Sequence, residues 1–255
     1  MSRTTFILAV VLFVLVIFVI ILYSPHGKTL FLGGTYHAPK VSALVLPEKQ
    51  VYDYSGEEIV YDVKMGSVKI GTSIFHHVER INLAGVDAQL VTFTTKAIQI
   101  SDTEKIWADT KTFLPLRVER DVRMWPKYER ITESYDQKSH VLDVTKLAAA
   151  KGQPLHIVKQ GPIYNAILLP YQIRRVEDLA LGWSMKVVLP TQEFKITLKS
   201  KKEVTVPAGT FQAFYFESEP KRFEIWISAD ERRIPIKIKG SSGLNYTMQM
   251  RSYSK

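Results

Sequence analysis

Beyond residue 57 apolar and polar side chains alternate with a period of two. Val68, Ile70, Thr72, Ile74, His76 and Val78 fall on one face of an extended strand, and Lys69, Gly71, Ser73, Phe75 and His77 on the other. Leu116, Val118, Arg120, Val122 and Met124 likewise oppose Arg117, Glu119, Asp121 and Arg123. The alternation is cleaner still in Phe194/Ile196/Leu198, Phe223/Ile225/Ile227, Ile234/Ile236/Ile238 and Leu244/Tyr246/Met248/Met250. Runs of this kind, bounded by Gly, Pro, Asp and Ser, predict a mainly β domain of about ten to twelve strands. The expected form is a curved antiparallel sheet, or half-open β-barrel, with one core face. One segment, Gly161 to Gly182, spaces Ile163, Ile167, Leu168 and Tyr171 as a helix does, with Pro162 in a tolerant first turn and Pro170 ending or kinking it. It predicts one covering helix, in one or two pieces.

The start of the chain differs. Phe6 to Tyr23 reads FILAVVLFVLVIFVIILY, without charge, proline or glycine. As a helix it is roughly 27 Å long, close to a bilayer core. A cleaved signal peptide competes with this reading, but the run is longer than the usual apolar region and no small-residue cleavage site follows it. The favoured expectation is an uncleaved transmembrane helix over residues 1–23, then a Pro/Gly-containing tether over 24–56 and an exported antiparallel β domain over 57–255. Arg3 before the span outweighs Lys28 after it only mildly, favouring a single pass through the inner membrane with the C-terminal domain in the periplasm. The opposite orientation stays open.

Composition mainly excludes. The 255 residues include no cysteine, so thiolate chemistry, disulfides and Cys-ligated zinc are impossible. The six histidines form no metal-binding pair, and adjacent His76 and His77 point to opposite faces of a strand. No phosphate-binding glycine loop and no nucleophile elbow occurs. The expectation is a non-catalytic domain without metal or cofactor; a hydrolase is the lesser alternative, because catalytic triads are assembled in space. The net charge of +9 suits anionic surroundings. The basic clusters Lys199/Lys201/Lys202, Lys221/Arg222 and Arg232/Arg233 fall at predicted turns without interleaved aromatics, so nucleic acid is not an expected partner.

Arg120 is the exception to blandness. An arginine on a core face requires a paired acid, a wet lumen or an anionic ligand, and an internal salt bridge is the favoured account. The strand from Gln89 to Ile100 mixes Thr and Gln with apolar residues on both faces, which suits a wall beside a semi-polar cavity or a bulged register. Arg120, His76, Thr92 and Thr94 are therefore the candidate ligand-binding residues.

Turns carry the remaining signal. WADTKTFLPLRVER and WISADERRIPIKIKG echo one another, each reading as a strand, an Asp-initiated turn at Asp109 or Asp230, and a strand opened by Pro115 or Pro235. In VTVPAGTFQAFYFE, Pro207 presets the first corner of a turn and Gly209 supplies a positive φ.

These stretches, with EEIVYDVKMGSVKIGTS before them and FEIWISADERRIPIKIK near the end, resemble a bacterial family of exported domains of unknown function. In that family a YDV-x-x-G-x-x-x-G opening precedes a leucine-proline hairpin, a Pro-Ala-Gly turn and a final Trp-containing strand. The resemblance covers about residues 57 to 253, implies periplasmic or outer-membrane association, and carries over no catalytic residues. The Trp-Asp-Pro hairpins also resemble half-barrel carriers that move lipoproteins across the periplasm. Together the anchor, the curled sheet and the resemblance lead to an expected envelope protein that binds a lipid-like or apolar ligand or a partner protein. A structural scaffold with a filled core is the alternative.

Overall fold

The computed structural model describes residues 53–98, 100–124, 126–146, 154–240 and 246–255. The expected span Phe6 to Tyr23 and the tether as far as residue 52 lie outside them, and no helix among the described residues is long and apolar enough to cross a membrane.

The chain first runs up and down through β1 (Glu58–Met65), β2 (Val68–Leu83), β3 (Val86–Ala97), β4 (Ile100–Asp109), β5 (Pro115–Met124), β6 (Lys127–Asp136), β7 (Val141–Lys146) and β8 (Leu155–Val158). A short helix, α1 (Leu169–Arg174), follows. The second series is β9 (Ser184–Val188), β10 (Glu193–Val206), β11 (Gly209–Glu219), β12 (Phe223–Ser228), β13 (Pro235–Gly240) and β14 (Tyr246–Ser254). All fourteen strands among the described residues belong to one antiparallel sheet in the order β8-β7-β6-β5-β4-β3-β2-β1-β14-β13-β12-β11-β10-β9. Every pairing but one joins strands consecutive in sequence. The exception is the seam between β1 and β14, in which Glu58 faces Ser254 and Met65 faces Tyr246. The expected ten to twelve strands become fourteen partly because β8 and β9 have only four and five residues, too few for alternation to register.

The two echoed hairpins have matching geometry. In the first, Asp109 Oδ1 accepts from the amides of Lys111 (3.1 Å) and Thr112 (2.7 Å), and Asp109 N–H donates to Leu114 O. In the second, Asp230 Oδ1 accepts from the amide of Arg233 and from Ser228 Oγ–H, while Ser228 N–H donates to Ile234 O. In each, the residue two before the proline is forced left-handed, Phe113 at φ 57° and Arg233 at φ 48°. Non-glycine residues pay about 1 kcal/mol or more for this conformation, so both turns need outside support. It comes from α1, as described below. Pro115 and Pro235 open β5 and β13 as expected. At the third turn Pro207 and Ala208 form the tip and Gly209 takes φ 133°. Ala208 N–H then donates across the molecule to Met250 O on β14 (3.0 Å), which anchors the long β10–β11 hairpin to the seam.

Helix α1 corrects the sequence-based expectation. Pro170 stands in its first turn and starts it, because a missing N–H costs nothing there. Pro162 lies in the irregular segment before the helix, where Gln137 clamps Ile163 by accepting from its amide (3.0 Å) and donating to its carbonyl (2.9 Å). A six-residue helix has almost no stability of its own; all six residues are buried, and this burial holds it. Leu168 and Tyr171 join a core drawn from both series, with Ile59, Ile106 and Leu142 beside Val204, Trp226 and Met250, while Leu169 and Ile173 join a second core with Met185, Phe194, Phe216 and Ile227.

Candidate functional site

Residues from β1 to β5, from β12 to β14 and from the α1 segment line one common space, so the sheet curls around it. Helix α1 closes one side of that space by gripping both echoed turns. Gln172 Nε2–H donates to Phe113 O (3.0 Å), and Arg175 donates to the carbonyls of Thr110 and Lys111 in the first turn. At the second turn Arg174 Nη2–H donates to Arg232 O (2.9 Å), and Arg233 returns bonds to the carbonyls of Val176 and Glu177. The two strained turns are thus both held at the C-terminal end of a single buried helix. Beneath it Tyr171 stacks on Phe75 with centroids 4.1 Å apart, and His77 packs among Tyr54, Phe75, Phe113 and Tyr171. His77 is wholly buried and neither ring nitrogen has a hydrogen-bond partner. Burial, helped by the Arg174 charge, holds its pKa well below the usual histidine value and keeps it neutral.

Beyond this plug lies a cavity of about 180 Å³, room for roughly six waters at about 30 Å³ each. Its walls are mostly apolar: Val63, Phe75 and Phe93 face Ile225, Ile238 and Met248. Ala166, Ile167, Pro170 and Leu189 form its roof. One wall is ionic. Asp102 and Glu104 on β4 and Arg120 on β5 are all buried and line the space. Arg120 Nε–H donates to Asp102 Oδ1 (2.9 Å) and its Nη2–H to Oδ2, and Glu104 Oε1 stands 3.4 Å from the same Nε. Burial raises the Glu104 carboxyl to about 8 despite Arg120, with Asp102 and Glu133 adding to the rise, so it is protonated at neutral pH. Burial opposes the Arg120 charge, but Glu104 and Asp102 outweigh it and hold the guanidinium above its ordinary pKa.

The expected internal salt bridge of Arg120 is therefore present, with Asp102 as partner. Of the four candidate ligand-binding residues only Arg120 reaches the cavity. His76, Thr92 and Thr94 correct the expectation: the inward residues of β2 and β3 are Ser73, Phe75 and His77, and Val91, Phe93 and Thr95, so these three point the other way. His76 and Thr92 sit opposite one another in the register, and Thr94 Oγ1–H makes a long bond to Thr103 Oγ1 (3.4 Å) on the outer face. The inward acids were missed for a related reason. In ISDTEKIWAD, Asp102 and Glu104 alternate with Ser101, Thr103 and Lys105, so hydropathy does not say which face is buried. Continuation to Ile106 and Ala108 on the same face is the signal that identifies it.

The basic residues also fall differently. Lys201 and Lys202 lie inside β10 instead of at a turn, and Lys202 Nζ stands 4.0 Å from the Tyr215 ring centroid, beside Trp226. Among the described residues no cluster of three His, Asp or Glu could hold a metal ion.

Residues 60–251 match the family described as Protein of unknown function (DUF3108). No curated protein matches the chain. Among solved structures, a beta-barrel-like protein of the domain of unknown function DUF1849 from Brucella abortus superimposes with a TM-score of 0.51 at 9% identity. The match covers 78% of this chain and 97% of that one, and shows a common fold. A candidate exported protein with a YmcC-like fold from Bacteroides fragilis aligns at 8% identity and TM-score 0.29, over 79% of this chain and 96% of its own. A candidate lipoprotein from Parabacteroides distasonis aligns at 10% identity and TM-score 0.27, over 78% and 95%.

Proposed function

The chain belongs to the DUF3108 family of proteins of unknown function, and we propose that it is a non-catalytic binding domain of the cell envelope whose half-open barrel houses one alkyl chain of a lipid-like ligand. The cavity carries this reading. Its lining is aliphatic and aromatic, and a single buried helix closes it where the two echoed turns meet. An apolar space of this kind is favourable to an alkyl chain, because each methylene removed from water contributes about 0.8 kcal/mol. The apolar run Phe6 to Tyr23 supports an inner-membrane anchor, with the β domain in the periplasm close to its lipid source.

Solvent extraction of the purified full-length protein followed by mass spectrometry tests the proposal. An alkyl-chain compound is expected in near one-to-one amount, together with displacement of a fluorescent naphthylamine probe by added lipid. Protein that carries no lipid and binds no probe would remove the reading. Protease accessibility of the C-terminus in intact spheroplasts tests the orientation.

A scaffold role has one observation in its favour. The outer edge of β8 pairs with no described strand and exposes Leu155 and Val158, an arrangement suited to strand addition by a partner. Crosslinked membranes that yield no constant partner at this edge would count against it.

A further inference from the structure

The ionic wall determines what the polar end of such a ligand carries. Arg120 commits its Nε and Nη2 to Asp102. Glu104 lies directly opposite Arg120 in the strand register, yet it reaches only the same Nε, at 3.4 Å, and accepts no hydrogen bond from any described residue. It is 6% exposed and lines the cavity. A carboxyl buried to this degree without a donor of its own is the kind of group a bound molecule satisfies. The surroundings are acid-rich. Glu133, which accepts from the Tyr135 hydroxyl, is buried on the neighbouring strand, and one oxygen of Glu129 on the same face is buried with no hydrogen-bond partner. Against Asp102, Glu104, Glu129 and Glu133 stand Arg120 and the half-buried Lys146, which follows Leu142 and Val144 on its face of β7. An anionic head would be set among carboxyl groups with the one guanidinium already engaged. An ammonium head would bring donors that Glu104 lacks.

We propose that the cavity takes a single-chain amphiphile with a primary ammonium head, which donates to Glu104, and that it discriminates against a carboxylate head. The proposal rests on the alkyl-binding reading above and adds the head-group class to it. A buried ammonium requires an ionised partner. Without this ligand Glu104 holds its proton up to about pH 8, because burial, with Asp102 and Glu133, outweighs the opposing charge of Arg120. Binding at pH 7 must therefore expel that proton to the buffer, which separates specific pairing from simple partitioning of the chain.

Isothermal titration of the full-length protein with dodecylamine, dodecanol and dodecanoate, each in phosphate and in Tris at pH 7, tests this. Dodecylamine is expected to bind at least tenfold more tightly than dodecanoate and to release close to one proton, seen as a buffer-dependent heat. In Glu104→Gln the preference is expected to fall below about threefold and the proton release to vanish. Equal or tighter binding of dodecanoate, or amine binding without proton release, would overturn the head-group assignment while leaving the cavity reading intact. Failure of all three, dodecanol included, would overturn both. The two-buffer comparison on the native sequence decides the matter even if Glu104→Gln does not fold.

Discussion

Arg174, in the last turn of α1, lays its guanidinium fork on Glu57, 117 residues earlier at the entry to β1, with Nη1–Oε1 at 2.6 Å and Nη2–Oε2 at 2.9 Å. Both side chains are buried, the guanidinium lies 4.5 Å from the Tyr54 ring centroid, and Tyr253 adds a hydroxyl bond to the carboxylate. One ion pair therefore ties the helix to the first and last strands. Arg174→Met strands a buried carboxylate and is expected to cost about 3–5 kcal/mol, whereas the double variant with Glu57→Leu should recover much of that loss. Urea unfolding of the two single variants and the double variant measures the coupling; additive losses would show the pair to be independent.

Three glycines should respond differently to alanine. Gly209 has room for a methyl group and objects only through its φ of 133°, so Gly209→Ala is expected to cost about 1 kcal/mol without altering ligand preference. At Gly71 the new carbon would overlap the backbone carbonyl oxygen of Lys96, which cannot swing away, and Gly71→Ala is expected to cost about 2–3 kcal/mol. At Gly240 the obstacle is the Tyr246 ring, which lines the cavity with it. Displacement of that ring should change probe affinity as well as stability. Denaturation midpoints and probe titrations on the three variants check this order.

Glu104 makes stability depend on pH. Its folded pKa, about 8, is above the ordinary carboxylate value, so the native state binds more protons than the unfolded chain between those limits. Stability from this group is full below the unfolded pKa and is lost as pH rises through about 8. Native protein should lose on the order of a few kcal/mol relative to Glu104→Gln between pH 5 and pH 8, read from unfolding curves at both values. A constant difference would mean that Glu104 ionises normally.

Ala166 sits in the roof of the cavity. Ala166→Phe directs a ring into the space and is expected to weaken binding of an alkyl probe at least tenfold while keeping the thermal midpoint at or above that of the native protein. Unchanged binding would place the ligand elsewhere.

The echoed turns, the strand-opening prolines and the pairing of Arg120 could be read from the sequence because each depends on local chemistry or on one forbidden alternative, an unpaired charge facing a core. The phase of β2 and β3 could not. Val68 is exposed, Thr72 and His76 share the outer face, and a bulge between His77 and Glu79 shifts the pairing, so alternation alone does not distinguish the two faces. Helix α1 was misjudged for another reason. Its six residues are helical because they are enclosed, and enclosure depends on strands distant in the chain. The acids of β4 resemble a solvated stripe until the β4–β5 register sets Arg120 opposite Glu104.

The seam between β1 and β14 fixes an order of events. All other strand pairs are chain neighbours and can zip as hairpins once made, but residues 58–65 must wait for residues 246–254. Until then β1 has an open edge, in a chain whose many local hairpins form early and whose one distant pairing forms late. A chain emerging residue by residue from a narrow channel would carry that edge for almost its whole passage. It is the interval in which a holding chaperone would be needed, and loss of the last strand would make it permanent.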